Sequence, residues 1–89
     1  MATTHKRWTE KTRQFPKNKY GFTQHLRRIN DWVLTEPMSL ADCKRFRDAA
    51  YEWAWHKKWR VTVNRFRVSE DTWECCCRLV SKTYEREFE

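Results

Sequence analysis

Three consecutive cysteines, Cys75-Cys76-Cys77, and a fourth at Cys43 are the residues whose type could support metal or redox chemistry. Successive side chains of an extended strand point to opposite faces, so Cys75 and Cys77 could share a face that Cys76 does not. Structural zinc sites usually draw on cysteines separated by about two to four residues. A dithiol redox centre is signalled by a Cys-x-x-Cys spacing. The chain has neither. Cys43, Cys75 and Cys77 therefore read as small buried hydrophobes, a common role for free cysteine, with a shared thiolate metal site as the alternative. The three histidines, His5, His25 and His56, are scattered, and no Ser/His/Asp or Cys/His arrangement follows from their spacing. One glycine in 89 residues leaves no room for a phosphate-cradling loop or a dinucleotide fingerprint, both of which need several. The expectation is a non-enzymatic protein with no catalytic residue, metal or cofactor.

What remains is binding chemistry. Residues 1–28 hold Lys6, Arg7, Lys11, Arg13, Lys17, Lys19, Arg27 and Arg28 against the single Glu10, a surplus of +7 that equals the net charge of the whole chain. Residues 29–89 balance, with eleven basic and eleven acidic residues. Lysines and arginines neutralise phosphates and release counterions, the main source of sequence-independent affinity for nucleic acid. Trp8, Phe15 and Tyr20 lie among the basic residues, and such aromatics can stack on unpaired bases. The same composition suits an acidic groove on a protein, where Arg, Trp and Tyr are favoured anchors.

These residues need a frame. Residues 1–21 read as a basic arm, with a short strand around Trp8–Phe15 that stops at Pro16, because proline cannot donate to a sheet ladder. Leu26, Ile29, Trp32 and Val33 fall on one face of a 3.6-residue period and predict a first helix over about 22–34, with Thr23 as its N-cap. Pro37 pushes Glu36 out of helical angles and ends that segment. Ser39-Leu40-Ala41-Asp42 resembles a capping box. It opens a second helix over about 40–57 whose apolar stripe is Leu40, Cys43, Phe46, Ala50, Trp53 and Ala54. Tyr51 and Trp55 leave that stripe and join Lys44, Asp48 and Lys58 on a second, mixed face. Residues 59–68 and 73–80 alternate with a period of two and predict an antiparallel hairpin. A bulge near Asn64 would bring Phe66 and Val68 onto the apolar side. The fold class is thus α+β: the arm, a helix–helix–hairpin domain over 22–80, and a charged tail over 81–89.

The element order over 22–80 resembles that of winged-helix DNA-binding domains, two helices followed by a wing. That resemblance implies a groove-reading second helix presenting Lys44, Arg45, Arg47, Tyr51 and Lys58, with Arg60, Arg65 and Arg67 as wing contacts. The candidate binding residues are therefore Lys6, Arg7, Trp8, Lys11, Arg13, Lys17, Lys19, Tyr20, Arg27, Arg28, Lys44, Tyr51, Trp55 and Lys58. The partner is nucleic acid, DNA or RNA, or an acidic or nucleic-acid-binding surface of a protein. In the second case the chain would be a virus-type accessory inhibitor or adaptor that occludes a nuclease, polymerase or CRISPR-type effector. No apolar run approaches the roughly 20 residues of a membrane span, and the N-terminal residues lack the apolar stretch of a signal peptide. A cytoplasmic protein with reduced thiols is expected, in the host cytoplasm if the chain is viral.

Overall fold

The structure, a computed structural model, describes residues 5–7 and 20–83. Its elements are strand β1 (His5–Arg7), a single-turn helix α1 (Phe22–His25), β2 (Trp32–Leu34), the long helix α2 (Leu40–Lys57), β3 (Arg60–Arg67) and β4 (Trp73–Ser81). The strands form one sheet in the order β1-β2-β4-β3. β4 pairs antiparallel with both β2 and β3, while β1 joins β2 in parallel. With α2 packed on β3 and β4, this is the expected α+β class. Among the described residues, no helix is long and apolar enough to cross a membrane.

The capping signal at Ser39 works as its chemistry requires. Its Oγ accepts a hydrogen bond from the backbone N–H of Asp42 at 3.1 Å, which satisfies one of the donors a helix start leaves over. α2 ends at Lys58, whose φ of 63° is left-handed, and whose N–H turns back to the carbonyls of Ala54 and Trp55. The helix buries Cys43, Phe46, Ala49, Ala50 and Ala54 against the sheet. Small residues here let the helix approach closely, and Phe46 fills what they leave.

The first helix is much shorter than its periodicity suggested. α1 stops after His25, residues 26–31 form a connecting loop, and Trp32–Leu34 is strand. Asn30 has a φ of 73°, which no helix interior accommodates. Its N–H donates to the carbonyl of Leu79 at 2.8 Å, so β4 captures this segment. Gly21, rather than Thr23, caps α1, in a left-handed conformation at φ 72° that suits glycine. Thr23 instead accepts a hydrogen bond from Trp53 Nε1 at 3.2 Å. With one long helix and a four-stranded sheet, the winged-helix arrangement does not apply.

The hairpin forms where alternation placed it, but its irregularity lies elsewhere. Arg60 pairs with Ser81 and Val61 with Leu79, so Val80 is the extra residue, on β4 and not near Asn64. From Val61 to Arg67 the register runs unbroken. Phe66 and Val68 consequently stay on the outer side, each 43% exposed. On β4 the inward positions are Trp73, Cys75, Cys77 and Leu79, the last three buried.

Cys43, Cys75 and Cys77 are members of the core, together with Tyr20, Phe22, Leu26, Val33, Met38, Phe46 and Leu79. Burial raises the pKa of all three thiols, because the apolar interior disfavours thiolate. β2 is clasped to β4 beyond its own end. Thr35 N–H donates to the Cys75 carbonyl at 2.8 Å, and Thr35 Oγ1 accepts from the Cys75 N–H at 2.9 Å. An aromatic chain runs through the core: Tyr20 meets Phe46 edge-on at 5.2 Å, Phe22 lies 5.7 Å from Trp53, and Trp53 meets Trp59 edge-on at 5.7 Å. Pairs of this kind add about 0.5–1.5 kcal/mol each beyond the area they bury.

Candidate nucleic-acid interface

Residues 44–67, which make up most of α2 and all of β3, hold eight lysines and arginines against only Asp48 and Glu52. The balanced charge of residues 29–89 conceals this local surplus of +6, because the compensating acids lie before and after it in the chain. A charge count in a sliding window would have found it. The two acids are each engaged by a neighbouring base. Asp48 Oδ1 accepts from Arg47 Nη2 at 3.2 Å and Nε at 3.3 Å, and Glu52 Oε2 lies 3.8 Å from His56 Nε2. Both pairs are exposed, so they hold their partners weakly.

Helix geometry sets the shape of this region. Lys44, Asp48, Tyr51 and Trp55 follow one another at spacings of three or four residues and form one exposed stripe on α2, continued by Lys58 at its cap. Tyr51 is 44% exposed and Trp55 60%. Beside them the chain turns at Lys58 and enters β3, an edge strand of the sheet. Helix and edge strand enclose two concavities in line. The first, of about 280 Å³, is lined by Tyr51, Ala54, Trp55, Trp59, Arg60 and Val61. The second, of about 220 Å³, is lined by Cys43, Arg47, Val63, Asn64, Arg65 and Cys75. Moving from Tyr51 to Arg47 is about one helical turn, and moving from Val61 to Val63 is two strand residues, so the steps on the two walls match at about 6 Å.

The remaining cations of β3 and its surroundings are partly committed to rings. Arg65 and Arg67 lie 5.5 and 5.9 Å from the centroid of Trp73, and Arg67 also donates to the carbonyls of Ser69 and Glu70, which fixes the β3–β4 turn. Lys57 and Lys82 each sit 5.2 Å from the Trp59 ring. On β4, Arg78 stacks 5.0 Å over Trp32 and donates from Nη1 to Asn30 Oδ1 at 2.6 Å. Cation–ring contacts of this kind are worth about 0.5–1 kcal/mol at exposed sites.

The other sequence-predicted residues are distributed differently. Lys6 and Arg7 lie in β1, at register positions opposite Val33 and Leu34. Trp8, Lys11, Arg13, Lys17 and Lys19 fall outside the described residues, as does the strand expected over Trp8–Phe15. Arg27 and Arg28 are exposed in the loop between α1 and β2 rather than on a helix. Tyr20 belongs to the core and not to a binding surface: it is 1% exposed, and burial pushes its phenol well above the usual range. The structure thus brings Lys44, Tyr51, Trp55 and Lys58 together. It adds Arg47, Arg60 and Arg65, which composition alone had not ranked with them. Among the described residues, no group of three or more His, Cys, Asp or Glu side chains could hold a metal ion. The chain matches no protein-family model, no curated protein and no solved structure.

Proposed function

We propose that this protein is a small, non-enzymatic nucleic-acid-binding module of the cytoplasm. The observation that carries the reading is the +6 surplus of residues 44–67 folded around the exposed Tyr51 and Trp55. Phosphates supply affinity through the cations, and the field of the basic N-terminal residues adds attraction at longer range. The test is a binding titration of the full chain with DNA and RNA at two salt concentrations. Affinity that falls steeply with salt supports the reading; absent or salt-insensitive binding overturns it.

A second reading is an accessory inhibitor or adaptor that occludes a nucleic-acid-processing protein. The same exposed Tyr51 and Trp55 favour it, since these residue types dominate protein interface hot spots. Pull-down from a lysate with and without nuclease treatment separates the two. A partner retained after digestion favours the adaptor, and loss of every partner favours direct nucleic-acid binding.

A further inference from the structure

We infer that the groove between α2 and the edge strand β3 is a binding site for single-stranded nucleic acid, with an unpaired base stacked on Trp55 or Tyr51 and the backbone held by Arg47, Arg60 and Arg65. This rests on the nucleic-acid reading above and names the form of the ligand.

Three observations converge on it. The two concavities lie in line, one walled by aromatics and the other by arginines. A basic channel that tracks the backbone beside rings that receive bases is the arrangement used for single strands. The rings are also exposed: Trp55 is the most exposed large hydrophobic residue among those described, at 60%. In a duplex the base faces are covered by their neighbours, so exposed rings gain nothing from stacking there. Unpaired bases can splay onto them. The third observation is charge. Residues 44–67 keep a surplus of +6, and although Arg47 shares its charge with Asp48 in an exposed, weak pair, Arg60 and Arg65 line the groove with no acid of this segment against them.

β3 is an edge strand, and an edge can also recruit an extended peptide. A second copy is disfavoured there, because antiparallel self-pairing about the strand centre would set Arg60 opposite Arg67. An acidic peptide would use the strand edge and the arginines but carries no base to stack on Tyr51 and Trp55.

The experiment uses the full chain with a fluorescent twelve-nucleotide oligothymidine, a hairpin duplex carrying the same number of phosphates, and an oligoglutamate peptide. The single strand is expected to bind at least tenfold tighter than the duplex. Trp55→Ala should weaken single-strand binding about 5- to 100-fold without changing its salt slope, because stacking releases no counterions. Trp55→Phe should restore most of the loss, and an unchanged melting transition for both variants shows that the fold is intact. Arg60→Gln should lower the salt slope by about 0.7. Equal affinity for duplex and single strand, with Trp55→Ala neutral, overturns this site while leaving the nucleic-acid reading standing. Absence of binding to either nucleic acid overturns both. Tighter binding of oligoglutamate, sensitive to Trp55→Ala, overturns both in favour of a protein partner.

Discussion

The two strands that flank β4 are built on opposite plans. β2 has three residues, is paired on both sides, and places Val33 at full burial opposite Cys77. β3 has eight residues, is paired on one side, and has no fully buried position. A long, flat edge strand invites unwanted pairing with other chains, and charged side chains are the usual protection. Arg60, Arg65 and Arg67 supply that protection, and two of them, Arg60 and Arg65, line the groove proposed as the binding site. On that proposal, core formation and ligand binding fall to different neighbours of one central strand. Stability should reside in β2 and binding in β3.

That division can be broken most forcefully at Val33. Val33→Asp would bury a carboxylate with no cationic partner in the core, and the cooperative unfolding transition should be lost at 25 °C; Phe66→Asp, on exposed β3, should leave stability within about 0.5 kcal/mol. A denaturant titration of both variants decides the matter, and comparable losses would end the distinction. Phe46→Ala, across from the sheet, should cost about 3–5 kcal/mol by the same measurement.

Thr35→Val keeps the shape of the β2 clasp but strands the buried N–H of Cys75, at an expected cost of about 1–3 kcal/mol. Alkaline pH should act on the same strand pair. Burial raises the thiol pKa values of Cys75 and Cys77 in the folded state, so unfolded thiols release protons first. The unfolded state then binds fewer protons than the folded state, and stability falls as pH rises above about 8.5, by up to about 1.4 kcal/mol per pH unit for each such thiol. Melting temperatures should be flat through neutrality and decline above that point, and Cys77→Ala should flatten the decline. A decline on the acid side of neutrality that vanishes in Cys77→Ala would contradict this assignment. The smallest effect is at the helix start, where Ser39→Ala should cost about 1 kcal/mol and leave ligand binding untouched.

The elements legible in the sequence were those that make their own local bonds. The Ser39–Asp42 cap and the stripe from Cys43 to Ala54 specify α2 without help from elsewhere. The alternation over 73–80 specifies β4, its inward cysteines included. Over residues 22–34 helical spacing and burial come apart, and the segment does not form the helix its period predicts. Leu26 and Val33 are buried, but Ile29 is 47% exposed, and Asn30 is turned into a left-handed conformation by its bond to Leu79. A three-residue strand has too few positions to show alternation, so its partner on β4 had to decide it. The site was half legible. Tyr51 and Trp55 stand apart from the apolar stripe, and that marked them as a second face. Their alignment with Arg60 and Arg65 depends on how β3 returns under α2, which no spacing within either element encodes. Tyr20 shows the converse: its basic neighbours suggest a surface, while its ring packs against Phe46.

The parallel pairing of β1 with β2 constrains the order in which the chain can assemble. β3 and β4 are neighbours in sequence and can zip from their own turn. β2 must find β4 from the other half of the chain, and β1 has nothing to pair with until β2 is in place. Strand β1 is then the last to arrive and the first to leave, which native-state hydrogen exchange should register as amides of residues 5–7 exchanging ahead of those in β4. The basic N-terminal residues thus meet the fold at two unlike places, the edge strand β1 and the buried Tyr20, and a polyanion bound there should register first as a change in the exchange of residues 5–7.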